Sequence, residues 1–155
     1  MELIELLKPE LIRLRVDVED KWELLRYLAG LLAITGEVKN EEELYQALLT
    51  REKTMSTGIG RQIAIPHATT NSVEKIILAA ITLRKPIDYE SFDFEPVKVV
   101  FCVASPEEKH KNYMKILSDI AKLFSKHALT ADDLWNANTP EEFINLIVKA
   151  EEKVS

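Results

Sequence analysis

The sequence predicts an α/β sandwich: a central mixed, mostly parallel sheet flanked by helices on both faces. Two near-continuous apolar runs, residues 76–83 and 97–104, have the composition of strands buried on both faces. Segments with apolar residues at three- and four-residue steps precede and follow them, and helices alternating with buried strands make layered α/β folds. No repeat, low-complexity tract or linker interrupts the chain, so residues 1–155 read as one domain.

Residues 2–7 read as a short helix ending near Pro9. The alternation of Ile12, Leu14 and Val16 with arginines then predicts a half-buried strand. Asp20 stands at an N-cap position, followed by Leu24, Leu25, Leu28, Leu31 and Leu32 on one helical face, with Gly36 expected at C′. Asn40 with Glu43 three residues on approximates a capping box, opening a helix that carries Leu44, Ala47 and Leu48 and delivers Arg51 at its C-terminal end. Residues 63–65 are extended, because a residue before proline is pushed out of the α region, which puts His67 at a strand end. After the second apolar run, Tyr113, Met114, Leu117, Ile120, Ala121 and Phe124 predict a long amphipathic helix from Glu107 to about Ser125. Residues 130–137 form a short helix, and Thr139, Pro140 and Glu142 supply an N-cap, an N1 proline and an N3 glutamate for a last helix through Ile147.

The 155 residues are enough for a sizeable core. Twenty basic against 26 acidic side chains give a formal charge of −6, which argues against nucleic acid or an anionic membrane surface as the main partner and favours a protein with a basic face. The one cysteine, Cys102, lies inside an apolar run and reads as a buried thiol. The first residues lack the basic start, long apolar core and small-residue cleavage site of a signal peptide, and no apolar stretch reaches the length of a membrane span. The expected compartment is the cytoplasm.

Residues 51–67 stand apart. They combine the Arg51 guanidinium, the hydroxyls of Thr54, Ser56 and Thr57, two glycines, Gly58 and Gly60, and a histidine whose approach is fixed by Pro66. A neutral imidazole is a competent nucleophile, and a phosphoryl group on its nitrogen remains transferable. Phosphoryl transfer asks the protein for positioning and charge stabilisation. Arg51 can bind phosphate oxygens bidentately, while hydroxyls and glycine-freed amides can donate further bonds, so Ser56, Thr57, Gly58 and Gly60 read as a phosphate cradle. Each feature alone has a plainer reading: a polar histidine after a strand, a common turn composition, a solvated helix end.

Together, Arg51-Glu52, Ser56-Thr57-Gly58-Ile59-Gly60 and Ile63-Ala64-Ile65-Pro66-His67 resemble the signature of the enzyme IIA domain of the fructose/mannitol type, from the bacterial sugar phosphotransferase system. The resemblance runs over nearly the whole chain, through Ala104-Ser105-Pro106 and Leu117-Ser118-Asp119-Ile120-Ala121. It implies that His67 is the phosphoacceptor, receiving a phosphoryl group from the carrier protein HPr and passing it to an enzyme IIB. Arg51 would be its charge partner, with no bound cofactor, and the membrane would be involved only indirectly through the IIC transporter. It equally admits a regulatory protein of the nitrogen-related type, which controls a partner by binding.

Two positions depart from the family pattern. Gln62 stands where a glycine is usual, and Tyr113 stands where the family carries a second active-site histidine. His110 lies one helical turn before Tyr113. Either His110 leans towards the site or Tyr113 supplies a hydroxyl in its place, whereas the surrounding charged cluster reads His110 as solvated. His127 has no functional neighbour in sequence, and histidines at 67, 110 and 127 make no metal-ligand spacing.

Overall fold

A computed structural model describes residues 2–154. After a one-turn helix, α1 (Leu3–Leu6), and a 3-10 turn at Pro9–Leu11, the chain runs through β1 (Ile12–Val16), α2 (Lys21–Ala33) and α3 (Glu41–Thr54). Three short strands follow, β2 (Gly58–Gly60), β3 (Ile63–Ala64) and β4 (His67–Thr69), then the two long ones, β5 (Ile77–Ile87) and β6 (Val97–Ser105). The chain closes with α4 (His110–Ser125), α5 (Ala131–Trp135) and α6 (Pro140–Val154).

The sheet is ordered β1-β5-β6-β3-β2, with β4 also on β6. The β1–β5, β3–β6 and β4–β6 pairs are parallel, and β5–β6 and β2–β3 are antiparallel. Successive side chains of a strand point to opposite faces. Leu78, Ala80, Val99, Phe101 and Val103 therefore join one apolar layer under α1, α4, α5 and α6. Ile77, Ala79, Ile81, Val100, Cys102 and Ala104 join the other, under α2 and α3. This is the sandwich the apolar runs predict.

The caps explain where helices start. The Asp20 side chain accepts from the Glu23 amide and that of Asn40 from the Glu43 amide, each satisfying an orphan donor of the first turn. The Asn40 box is only half formed, because the Glu43 carboxylate turns away to accept from the Thr70 hydroxyl at 3.5 Å. Gly36 is not the residue next to the cap of α2. The helix caps at Ile34 and unwinds through Thr35, so Gly36, at φ +77°, takes the left-handed position one residue later. In α4 the buried seam is Tyr113, Ile116, Ile120, Leu123 and Phe124, and Met114 is exposed. The expected face was rotated by about one residue, because adjacent apolar positions leave its exact edge open. Beyond α4, the amides of His127 and Ala128 bond to the carbonyls of Phe124 and Leu123, with His127 at φ 59° where such a cap usually has glycine.

β5 continues to Ile87, past Pro86, and α6 continues to Val154, both further than the sequence patterns carry them. Residues 88–96 then fold back across β2. Ser56 donates its hydroxyl to the Tyr89 carbonyl at 2.8 Å, and Asp93 accepts from the Arg61 amide at 2.8 Å. A Cβ on Gly58 would stand 2.1 Å from Ser91 Oγ, and one on Gly60 would stand 2.9 Å from the Phe92 ring. The two glycines thus make room for this segment.

Candidate functional site

His67 begins β4 on the open side of β6, in register with Val103. The preceding Ile65-Pro66 pair interrupts the edge strand between β3 and β4, because proline has no amide to give the ladder. Pro66 keeps its carbonyl on Val103, whereas the Ile65 carbonyl turns to His67, lying 2.5 Å from Nδ1. A carbonyl oxygen can only accept, so Nδ1 carries the proton. Nε2 of the neutral ring then keeps its lone pair.

The half-buried imidazole has a pKa lowered from its ordinary value near 6.5, first by burial. The Ile65 hydrogen bond opposes this, the Arg51 charge lowers the pKa further, and the Glu52 charge raises it. The neutral, nucleophilic form is therefore the resting form at neutral pH.

Arg51 sits in the last turn of α3, where Nη1 donates to the Met55 carbonyl at 2.8 Å. This ties the guanidinium to the helix terminus, and its charge acts on both His67 and Tyr113. Tyr113, on α4, meets His67 edge-on with ring centroids 5.8 Å apart. Its ring is buried, its pKa is pushed up by that burial, and its hydroxyl has no hydrogen-bond partner among the described residues. His110 is exposed, with its ring tilted against that of Tyr113 and the centroids 6.0 Å apart. Of the two candidates, Tyr113 faces His67.

Two hydroxyls of the expected cradle make hydrogen bonds within the protein. The Thr57 hydroxyl donates to Glu52 Oε1 at 2.5 Å and its amide to Oε2 at 2.8 Å. The Ser56 hydroxyl serves Tyr89 and accepts from the Gly58 amide at 3.1 Å. These groups are engaged inside the protein, whereas the Arg51 charge acts on the His67 ring.

Sequence reading passed over Glu52. It is 3% exposed and its carboxylate also accepts from the Tyr89 hydroxyl at 2.9 Å and pairs with Lys21 at 3.5 Å. Lys21 and Tyr89 lie 31 and 37 residues away, so only the Thr57 part of the knot is local. Gln62 is explained more simply: at φ 69° it occupies the left-handed region that favours glycine, and its carbonyl accepts from the Lys98 and Val99 amides. No group of three or more His, Cys, Asp or Glu among the described residues is arranged to hold a metal.

These features define a class: an α/β sandwich that presents one neutral, tautomer-fixed imidazole beside a guanidinium at an open sheet edge. The chain belongs to the family described as phosphoenolpyruvate-dependent sugar phosphotransferase system, EIIA 2, whose model matches residues 5–150. It is 38% identical over 124 residues to a nitrogen regulatory protein of Bradyrhizobium diazoefficiens, covering 79% of this chain and 80% of that one. It is 31% identical over 147 residues to the fructose-specific EIIABC component of Bacillus subtilis, covering 95% of this chain but 23% of that longer one. Among solved structures, the nitrogen regulatory protein IIA-Ntr from Neisseria meningitidis superposes with a TM-score of 0.86 at 28% identity, over 94% of this chain and 98% of that one.

Proposed function

We propose that this protein is a cytoplasmic histidine phosphocarrier. His67 Nε2 attacks the phosphorus of phosphorylated HPr. The new N–P bond forms as the donor's bond to phosphorus breaks and the donor keeps its electron pair. The proton stays on Nδ1 throughout, donated to the Ile65 carbonyl. Arg51 neutralises the equatorial oxygens, and the phosphoryl group then moves to an enzyme IIB. The observation that carries this reading is the Nδ1 hydrogen bond, which leaves Nε2 free in the nucleophilic tautomer. A IIB acceptor is supported by the Bacillus subtilis relative, whose name joins A, B and C components. The membrane enters only indirectly, through a IIC transporter, and no helix among the described residues is long and apolar enough to cross one.

A second reading has its own support. The Bradyrhizobium diazoefficiens and Neisseria meningitidis proteins are named as nitrogen regulatory proteins, so phosphorylation of His67 would control binding to a regulated protein. One experiment addresses both. The purified chain and His67→Ala are incubated with enzyme I, phosphoenolpyruvate and HPr, and bound phosphate is followed by mass spectrometry and by onward transfer to candidate IIB proteins. The expected result is one phosphoryl group on the native chain and none on His67→Ala. Equal labelling of the two, or none on either, sinks the phosphocarrier reading. Labelling without rapid onward transfer favours regulation.

A further inference from the structure

Residues 88–96, Asp-Tyr-Glu-Ser-Phe-Asp-Phe-Glu-Pro, carry four carboxylates and two phenylalanines that the chemistry of His67 leaves unused. Phe92 is 77% exposed and Phe94 is 96% exposed. Isolated exposed apolar residues are ordinary on protein surfaces. These two lie two residues apart, and the segment that displays them is held by several hydrogen bonds. Tyr89 is anchored through its hydroxyl to buried Glu52 and through its carbonyl to Ser56. Asp93 grips the Arg61 amide, and the Asp88 and Asp93 side chains each close a turn on the amide two residues on. Glu90 and Phe94 sit at φ 57° and 61°, a left-handed region that disfavours residues with a side chain. Gly58 and Gly60 of β2 give up their side-chain volume so that the segment can lie there. A tightly bonded segment that keeps an aromatic ring in solvent at a strained position has the form of a preorganised anchor, since aromatic residues dominate binding energy at interfaces.

The segment lies within reach of the phosphoryl chemistry. Gly60, against which Phe92 packs, is in register with Ile63, and His67 is four residues further along the same side of β6, about 13 Å from Ile63 at ~3.3 Å per residue. A protein docked over His67 covers about 800 Å² on each side, a patch roughly 30 Å across, and therefore reaches the knob. Exposed Met55, at the junction of α3 and β2, adds apolar surface on the same chain passage.

Charge selects the occupant. Of the four carboxylates, Glu90 is paired, with Lys21 at 3.1 Å, and Glu95 has no ion pair among the described residues. An anionic membrane would be repelled by this loop, and so would a second copy of a chain with formal charge −6. We propose that residues 88–96 are a docking knob for the protein that brings the phosphoryl group to His67, which receives Phe92 and Phe94 in an apolar pocket ringed by lysine or arginine. This rests on the phosphocarrier reading of His67.

The test compares two donors on the full chain: phosphorylated HPr, which must dock, and phosphoramidate, a small donor that transfers its phosphoryl group to an imidazole with loss of ammonia. Variants are Phe94→Ser, which is almost free of protein contacts, Phe92→Ser with Phe94→Ser, and Glu95→Lys, with thermal unfolding as the control for folding. The double variant is expected to lose at least tenfold in kcat/KM from phospho-HPr while labelling by phosphoramidate and the melting temperature stay unchanged. Glu95→Lys is expected to slow transfer a few-fold at low salt, with the gap closing as salt rises. Unchanged kcat/KM from phospho-HPr in the double variant overturns the knob. Equal loss with both donors also overturns it, because the segment then shapes the site and not the encounter. If the native chain is labelled by neither donor, the phosphocarrier reading itself falls and the knob with it.

Discussion

Arg51 and Glu52 are consecutive in the last turns of α3 and carry opposite charges, yet they serve opposite regions of the molecule. Arg51 is partly exposed, held by one bond to the Met55 carbonyl, and its charge acts on His67 and Tyr113. Glu52 is buried, and its two oxygens hold Thr57 twice, Tyr89 and Lys21. Residues one apart on a helix are turned about 100° from each other, so one turn can supply a reactive rim and an internal clamp. The difference teaches that a rim of this kind can stay accessible because the residues around it are fixed from behind. The Thr57 hydroxyl is engaged in that clamp.

The sharpest way to break this comparison is to truncate each partner. Glu52→Ala takes from buried Lys21 the buried one of its two carboxylates, leaving it only exposed Glu90, and it strips the Thr57 amide of its acceptor while the Thr57 and Tyr89 hydroxyls keep only each other, a loss of about 3 kcal/mol of stability by urea unfolding. Arg51→Ala is expected to change stability by less than about 1 kcal/mol while cutting phosphoryl transfer about 10- to 100-fold, the scale of a charge-assisted hydrogen bond. If Arg51→Ala unfolds the protein as readily as Glu52→Ala, the division between rim and clamp is wrong.

A smaller effect sharpens the account of the hairpin that joins clamp to rim. Gln62→Gly removes a side chain from a left-handed position, and after the larger unfolded-state entropy of glycine the expected net gain is about 0.5–1 kcal/mol. Chemical denaturation measures it, and a loss would mean that the Gln62 side chain contributes contacts that outweigh its backbone strain.

Acid supplies the most delicate probe of the rim. The folded pKa of His67 lies below the unfolded value near 6.5, so between the two the unfolded chain binds more protons. This contribution to stability is fully present above pH 6.5 and is lost as pH falls through the folded pKa. An NMR titration should place the His67 midpoint below 6.5, and His67→Gln should flatten this part of the stability profile. A midpoint above 6.5 would show that the Glu52 charge and the Ile65 carbonyl outweigh burial.

The elements that carry this arrangement were readable because their signals are local. Apolar periodicity marks β5, β6 and α4, and side chains three residues from a helix start mark its cap. The site was readable in its frame, Arg51 at a helix end and His67 after proline, since each is set by its immediate neighbours. What lay beyond reach is long-range. Nothing near Glu52 announces Tyr89, and nothing near Gly58 announces Ser91, so glycines that make way for a neighbouring segment look the same in sequence as glycines that make way for a ligand. Tyr113 was identified as a departure, but only packing decides that it, and not His110, turns its edge to His67.

The break in the edge strand at Ile65-Pro66 has a consequence for how such a site persists through mutation. The group that holds the Nδ1 proton belongs to the main chain, and the turn that aims it is enforced by a ring closure next door. No substitution at position 65 can delete that acceptor. The side chain there is answerable only to the apolar layer it fills. The proton's seat is thereby insulated from drift at its own residue, and its weak point is transferred to Pro66, whose replacement would give the backbone an amide and a reason to rejoin the ladder.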